Sequence, residues 1–159
     1  MEKVKGFTIL ELVTVIMLVS ILAASAVMLW PRGMKEDADL YEIRHAMRYA
    51  QHLAMTRPWD PAHPWGFRAD SGGNKYSILK HGTTVYAKDP DSGADMNGIA
   101  LRGDASMECD VNGIPKSGIW FDRFGTPLDY SSLEPITSLF RCYTGGRTVI
   151  VHPETGYVE

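Results

Sequence analysis

Residues 7–30, FTILELVTVIMLVSILAASAVMLW, form the stretch that decides the fold of this 159-residue chain. As a helix with a rise of about 1.5 Å per residue, this run would span roughly 36 Å, which exceeds the bilayer hydrocarbon thickness of about 30 Å. One carboxylate, Glu11, interrupts the apolar run near its beginning. A carboxylate inside such a segment weakens insertion into lipid and usually has a partner and a role. The stretch therefore predicts a membrane-spanning helix in which Glu11 has a specific function.

Two interpretations of the apolar run leave Glu11 unused. The leader MEKVKG carries Lys3 and Lys5, and residues 24–26, Ala-Ser-Ala, fit the cleavage pattern of a secretory signal peptide. The run also fits a plain single-pass anchor with the lysine-bearing leader in the cytoplasm. Neither interpretation explains the carboxylate, because a discarded or purely anchoring segment gains nothing from it.

The start of the chain resembles the N-terminus of type IV pilins and of the pseudopilins of type II secretion. The resemblance rests on a short basic leader that ends in Gly6, on Phe7 after it, and on Glu11 at the fifth position after Gly6. It implies that prepilin peptidase cleaves between Gly6 and Phe7, and that the new amine of Phe7 is N-methylated. It also implies that the helix later enters the core of a filament, where Glu11 pairs with the charged N-terminus of a neighbouring subunit.

The segment after the apolar run predicts an amphipathic helix. Pro31 disfavours continued helical geometry, so a kink is expected there, and the helical pattern resumes after Gly33 and ends at Arg57 and Pro58. Apolar residues recur along it at spacings of three and four, which indicates one buried face. These residues are Leu40, Ile43, Met47, Ala50 and Ala54.

The remainder of the chain predicts a β-rich head, so the fold class expected is α+β. Three prolines make residues 58–64 a rigid loop. Strands are expected at residues 65–69, 75–80, 83–87, 98–102 and 118–122, and a closing hairpin at residues 148–159. The predicted organisation is a leader at residues 1–6, a membrane or filament-core helix at 7–30, its amphipathic continuation at 31–57 and the head at 58–159.

The head resembles the GspH/FimT-type minor pseudopilins and minor pilins. The motifs that carry this resemblance are LYEIRHAMRYAQHLAMTR at residues 40–57, WGFRA at 65–69, FDRFGTP at 121–127 and VIVHPETGYVE at 149–159. It implies a pilin-like fold and a low-copy subunit that helps initiate or cap a secretion pseudopilus or a type IV pilus. The partners implied are other pilin or pseudopilin subunits, prepilin peptidase and the inner-membrane assembly platform.

The same resemblance implies a location. The unassembled protein would cross the inner membrane once, with its N-terminus in the cytoplasm and its head in the periplasm. After assembly it would belong to a periplasmic pseudopilus or an extracellular pilus.

Two cysteines, Cys109 and Cys142, are the only ones in the chain. Both follow the apolar run and so lie on the same side of any membrane that it crosses. If that side is oxidising, they are natural disulfide partners, and the bond would stabilise the fold by roughly 3–4 kcal/mol. The alternative is two buried thiols.

An acidic loop offers a weak calcium candidate in Asp89, Asp91 and Asp95, because carboxylate oxygens are ligands that calcium prefers. The spacing does not match an EF-hand loop, since Gly93 occupies a ligand position and no glutamate closes the loop. A solvated acidic turn is favoured, and neither a metal nor another cofactor is expected.

Catalysis and general nucleic-acid binding are not expected. The serines lack a nucleophile motif, and 16 Lys and Arg against 19 Asp and Glu give a net charge of −3, unlike the basic surfaces that neutralise phosphates. Arg141 and Arg147 leave a weak DNA-binding alternative, a DNA-uptake minor pilin, although Glu154 and Glu159 follow them. A secreted or periplasmic β-rich binding domain with a cleaved signal peptide is the alternative from another class.

Overall fold

The computed structural model describes residues 8–29, 31–70, 73–103 and 106–159. Two helices, α1 (Ile9–Leu29) and α2 (Pro31–Thr56), precede a run of short strands. The chain divides into two compact units, Met1–Met34 and Lys35–Glu159. The predicted α+β class is confirmed, and α2 from Lys35 onward belongs to the same unit as the strands.

Helix α1 begins directly after Thr8. The backbone N–H of Glu11 donates to the Thr8 carbonyl oxygen at 3.1 Å and to its Oγ1 at 3.3 Å, so Thr8 caps the first turn. All side chains that are described from Thr8 to Ser25 are exposed. Among the helices as far as they are described, none is both long and apolar enough to cross a membrane.

Helix α2 begins at the proline predicted to mark a break. Proline suits the first turn of a helix because the N–H that it lacks has no intrahelical acceptor there. The helix therefore includes Pro31 and Gly33, where the sequence pattern predicts resumption only after Gly33. It ends at Thr56, one residue before Arg57 and just ahead of Pro58.

The predicted apolar face of α2 is buried. Ile43, Met47 and Ala50 are completely inaccessible to solvent and Ala54 is 2% exposed, while Leu40 packs against the same cluster. This cluster also contains Phe67 and Val149, which come from different sheets. The helix therefore shares one hydrophobic core with both sheets of the head.

Within the described residues, nine strands form two antiparallel sheets. They are β1 (Trp65–Ala69), β2 (Lys75–Lys80), β3 (Ile99–Ala100), β4 (Glu108–Val111), β5 (Ile114–Pro115), β6 (Gly118–Phe121), β7 (Pro127–Asp129), β8 (Phe140–Thr144) and β9 (Arg147–Val151). The first sheet has the order β3-β2-β1-β6-β7 and the second has the order β5-β4-β8-β9.

Of the five individual strands predicted, four are confirmed, two of them with shorter bounds. The fifth prediction is wrong. Strands β1 and β2 have the predicted bounds, while β3 and β6 are shorter than predicted. Residues 83–87 are not a strand. They contact β2 through an isolated bridge between Leu79 and Tyr86, and through the N–H of Ala87, which donates to the Ile78 carbonyl at 2.8 Å. The segment thus follows β2 without forming a continuous ladder.

Strands β4, β5, β7 and β8 were not predicted. The β4–β5 hairpin turns at Asn112 and Gly113, whose φ values of 54° and 77° fit a type I′ turn, for which Asn-Gly is a strong sequence signal. Pro115 in β5 and Pro127 in β7 both occupy edge strands, where a missing N–H is tolerated because one side of the strand has no partner.

The predicted closing hairpin is present. Ile150 and Glu159 exchange two backbone hydrogen bonds, at 3.0 and 2.9 Å, and Val151 bridges to Val158. The amide of Gln51 on α2 donates to the carbonyls of Gly125 at 2.9 Å and Gly156 at 3.1 Å. One side chain therefore joins the helix to the β6–β7 turn and to the closing hairpin.

The two cysteines form a disulfide within the second sheet. Cys109 on β4 lies directly opposite Cys142 on β8, with their Cα atoms 4.0 Å apart and their sulfur atoms bonded. Both side chains are buried. The bond closes a sequence separation of 33 residues.

We expect loss of this bond to destabilise the head. The double variant Cys109→Ala/Cys142→Ala should lower the free energy of unfolding by about 3–4 kcal/mol, because the unfolded chain regains loop entropy. Urea titration of the full chain in a non-ionic detergent measures it. Reductant should lower the midpoint of the unmodified protein and leave the double variant unchanged. An identical midpoint for both proteins would contradict the expectation.

A half-buried ion pair links β7 to the residue after β5. Lys116 Nζ lies 2.5 Å from Asp129 Oδ2, and the two side chains are only 22% and 19% exposed. Burial alone would raise the pKa of Asp129. Hydrogen bonds from Lys116 and from the N–H groups of Ser131 and Ser132 outweigh it, so the pKa is lowered.

The lowered pKa of Asp129 sets the sign of a pH effect. Its stabilisation is present above the ordinary carboxyl pKa near 4 and is lost as the pH falls through the lower folded-state pKa. Asp129→Asn should therefore cost about 1–3 kcal/mol at pH 7 and flatten the decline in stability below about pH 4. The exposed pair of Asp95 and Lys88 supplies the control, since Asp95→Asn should change stability by less than about 1 kcal/mol. Equal costs for both variants in urea titrations would refute this assignment.

Candidate functional site

The predicted processing site and the predicted assembly residue differ in what the structure describes. Gly6 and Phe7 lie outside the described residues. Glu11 lies in the first turn of α1, where it is exposed. The candidate site is therefore built from Glu11 and the helix that follows it.

The hydroxyl groups of α1 are all satisfied within the helix. Thr14 donates to the Leu10 carbonyl at 2.5 Å, Ser20 to the Ile16 carbonyl at 2.7 Å, and Ser25 to the Ile21 carbonyl at 3.0 Å. A hydroxyl bonded to the carbonyl one turn earlier no longer needs water. These three hydroxyls therefore need no hydrogen-bond partner from outside the helix.

Glu11 is the exception among the polar side chains of α1. Within the described residues its carboxylate forms no hydrogen bond and no ion pair, although its own N–H is capped by Thr8. Thr8 was missed as a functional residue. The sequence contains a pattern that indicates this cap: Thr8 is followed three residues later by Glu11, as in a capping box.

The surface around Glu11 is apolar on every side of the helix. The large side chains from Ile9 to Leu22 are between 50% and 83% exposed, including Ile9 itself at 83%. A continuous apolar surface of this kind marks contact with a membrane or with other proteins. A partner or phase that covers α1 as far as its first turn also removes water from Glu11, because no polar face of α1 separates Glu11 from the apolar surface.

Covering the helix changes the energetics of Glu11. A carboxylate moved out of water is costly unless a cation and hydrogen bonds compensate it. Removing one partner from a buried ion pair costs about 3–5 kcal/mol. A covered Glu11 is therefore destabilised unless a cation, hydrogen bonds or a bound proton compensates its charge.

The structure does not bring the calcium candidates together as a metal site. The Asp89 carboxylate accepts hydrogen bonds within its own loop, from the Ser92 hydroxyl at 2.5 Å and from the Asp91 N–H at 3.2 Å. These hydrogen bonds lower the pKa of Asp89. Asp95 pairs with Lys88 at 2.8 Å. In the part of the chain that is described, no group of three His, Cys, Asp or Glu side chains could hold a metal ion.

The two arginines of the weak DNA-binding alternative each have an acidic neighbour. Arg147 Nη2 lies 3.0 Å from Asp37 Oδ1. Arg141 lies on β8 directly opposite Asp110 on β4. The charge of Arg147 is therefore partly compensated by the head, while Arg141 forms no ion pair within the described chain.

Comparison with known proteins adds no assignment: no protein-family profile, curated protein or solved structure matches this chain.

Proposed function

We propose that this chain is a minor subunit of a type II secretion pseudopilus or a type IV pilus, and that it acts through assembly, with no catalysis of its own. The observation that carries the proposal is the isolation of Glu11. It is the one polar side chain of α1 without a hydrogen-bond partner in the described residues. The other polar side chains of α1 bond within the helix, and its remaining surface is apolar.

In this proposal, residues 7–30 hold the unassembled protein in the inner membrane. That span extends beyond α1 to Phe7 and Trp30, which lie outside the described residues. Prepilin peptidase cleaves after Gly6, and the assembly platform then moves the helix into the filament.

Glu11 has a different role in each environment. In the membrane it lies near one end of the span, where a carboxylate costs less than at the centre. In the filament core it meets the N-methylated amine of Phe7 of a neighbouring subunit. Because desolvation offsets much of the attraction, the pair fixes register more than it adds stability.

The head supports placement in the periplasm. Both cysteines of the chain form a disulfide, and disulfides persist in oxidising compartments such as the periplasm. Its two sheets and α2 form a folded unit that can contact neighbouring minor subunits. The rival is a secreted β-rich domain whose signal peptide has been removed.

The mass of the N-terminal peptide tests the processing step. Protein recovered from the native membrane fraction should begin at Phe7 and carry one added methyl group. A chain that begins at Val27, after the Ala-Ser-Ala pattern, would establish an ordinary signal peptide and overturn the assembly proposal.

Substitution of Glu11 tests the assembly step. Glu11→Gln keeps the size of the side chain and removes the charge that recruits the neighbouring amine, so incorporation into sheared filaments should fall at least tenfold. Quantitative immunoblots of the filament and membrane fractions measure this ratio. The matched control is Ser20→Ala, which removes an internally satisfied hydroxyl and should incorporate normally. Equal incorporation of Glu11→Gln and the control would count against the proposed role.

A further inference from the structure

A cleft on the head is separate from the candidate site on α1. It has a volume of about 760 Å³ and lies between α2 and residues 89–102. Tyr41, Glu42 and Tyr49 line it from α2, while Asp89 and Asp91 line it from the opposite loop. All of these residues belong to the unit Lys35–Glu159.

The cleft carries an excess of negative charge. Three carboxylates line it, Glu42, Asp89 and Asp91, against one arginine, Arg102, and one histidine, His45. Within the described chain none of the three carboxylates lies in an ion pair with a basic side chain. The cleft is therefore complementary to a cation supplied from outside the chain.

The buried phenol of Tyr76 is affected by the same negative charges. Tyr76 also lines the cleft and is 3% exposed. Its pKa is raised far above the ordinary value, first by burial and then by the charges of Glu42 and Asp89. Glu42 comes from α2 and Asp89 from the opposite loop, so carboxylates from both walls of the cleft lie near one phenol.

Hydrogen bonds hold the tyrosines in place. Tyr76 donates its hydroxyl to Glu42 Oε1 at 3.2 Å, and Tyr49 donates to the Lys88 carbonyl at 2.8 Å. Fixed aromatic rings beside carboxylates favour cations, because a ring face attracts positive charge. The chain itself gives an example of such a contact, since the Arg44 guanidinium lies 5.6 Å from the centre of the Tyr41 ring.

We propose that this cleft binds an arginine side chain presented by a partner protein. A guanidinium group matches the lining, since it is planar, stacks on tyrosine and donates to carboxylates with two N–H groups at once. The cleft opens between an exposed face of α2 and an exposed loop, where a side chain on another protein surface can enter. The inference does not depend on the function proposed for α1.

A matched pair of probes tests the chemistry of the cleft. The full chain in a non-ionic detergent, with ¹³C-labelled tyrosine, is titrated with butylguanidinium and separately with the neutral analogue butylurea. NMR shifts of the Tyr49 and Tyr76 rings should saturate with butylguanidinium, weaken as salt is added and stay unchanged with butylurea. Equal shifts with both probes, or no saturable shift, would overturn the proposal.

Variants of the lining carboxylates locate the binding. Glu42→Gln keeps an acceptor for the Tyr76 hydroxyl and should weaken butylguanidinium binding at least fivefold, as should Asp89→Asn. The control is Asp95→Asn, because Asp95 belongs to the same loop but does not line the cleft. Spectra without probe verify that each variant is folded. Loss of binding in the control alone, or no loss in the two lining variants, would refute the assignment.

A blocked peptide distinguishes a protein partner from a small free cation. Acetyl-Gly-Arg-Gly-amide should produce the same ring shifts at least as strongly as butylguanidinium. If butylguanidinium binds and the peptide does not, the cleft takes a small cation and the docking proposal fails.

Discussion

The packing of α2 against both sheets is the interaction on which the rest of the head depends. Its apolar face, centred on Ile43 and Met47, enters the one core that the two sheets share. Its polar side chains then bind backbone groups of separate loops. The Asp39 carboxylate accepts from the N–H groups of Arg102 and Gly103, and the Arg48 guanidinium donates to the Val158 carbonyl at 2.7 Å. The helix therefore fixes the sheets and the loops between them together.

Sequence patterns predicted those parts of the head that depend on local periodicity. The stripe through Ile43 and Met47 and the bounds of β1 and β2 are of this kind. Strand pairing is a property of distant segments, so the opposition of Cys109 and Cys142 follows from the β4–β8 register and from no local pattern. The short strand-like run at residues 83–87 likewise predicts a strand where only isolated pairing exists.

The two candidate sites differ in the same way: one is formed by residues close in sequence, the other by residues from distant segments. Glu11 and its capping residue are neighbours in sequence, and the hydroxyls of α1 are satisfied within one turn. The cleft instead joins Glu42, Tyr76 and Asp89 from a helix, a strand and a loop. The sequence predicts Asp89 as one of three loop carboxylates that could bind a metal. In the structure Asp89 instead lines a cleft that it shares with α2. Only the tertiary structure reveals this anionic surface.

Local helix chemistry accounts for part of the presence of Glu11, and magnitudes show which part. An acidic residue in the first turn gains about 0.3–1 kcal/mol from the helix dipole, while the hydrogen bond from the Glu11 N–H to Thr8 Oγ1 does not involve the carboxylate. A carboxylate left unpaired in an apolar assembly costs about 3–5 kcal/mol, several times more than the dipole returns. Capping therefore explains where α1 begins. In the assembly that we propose, a cation from outside the helix compensates Glu11 where the surface from Ile9 to Leu22 is covered.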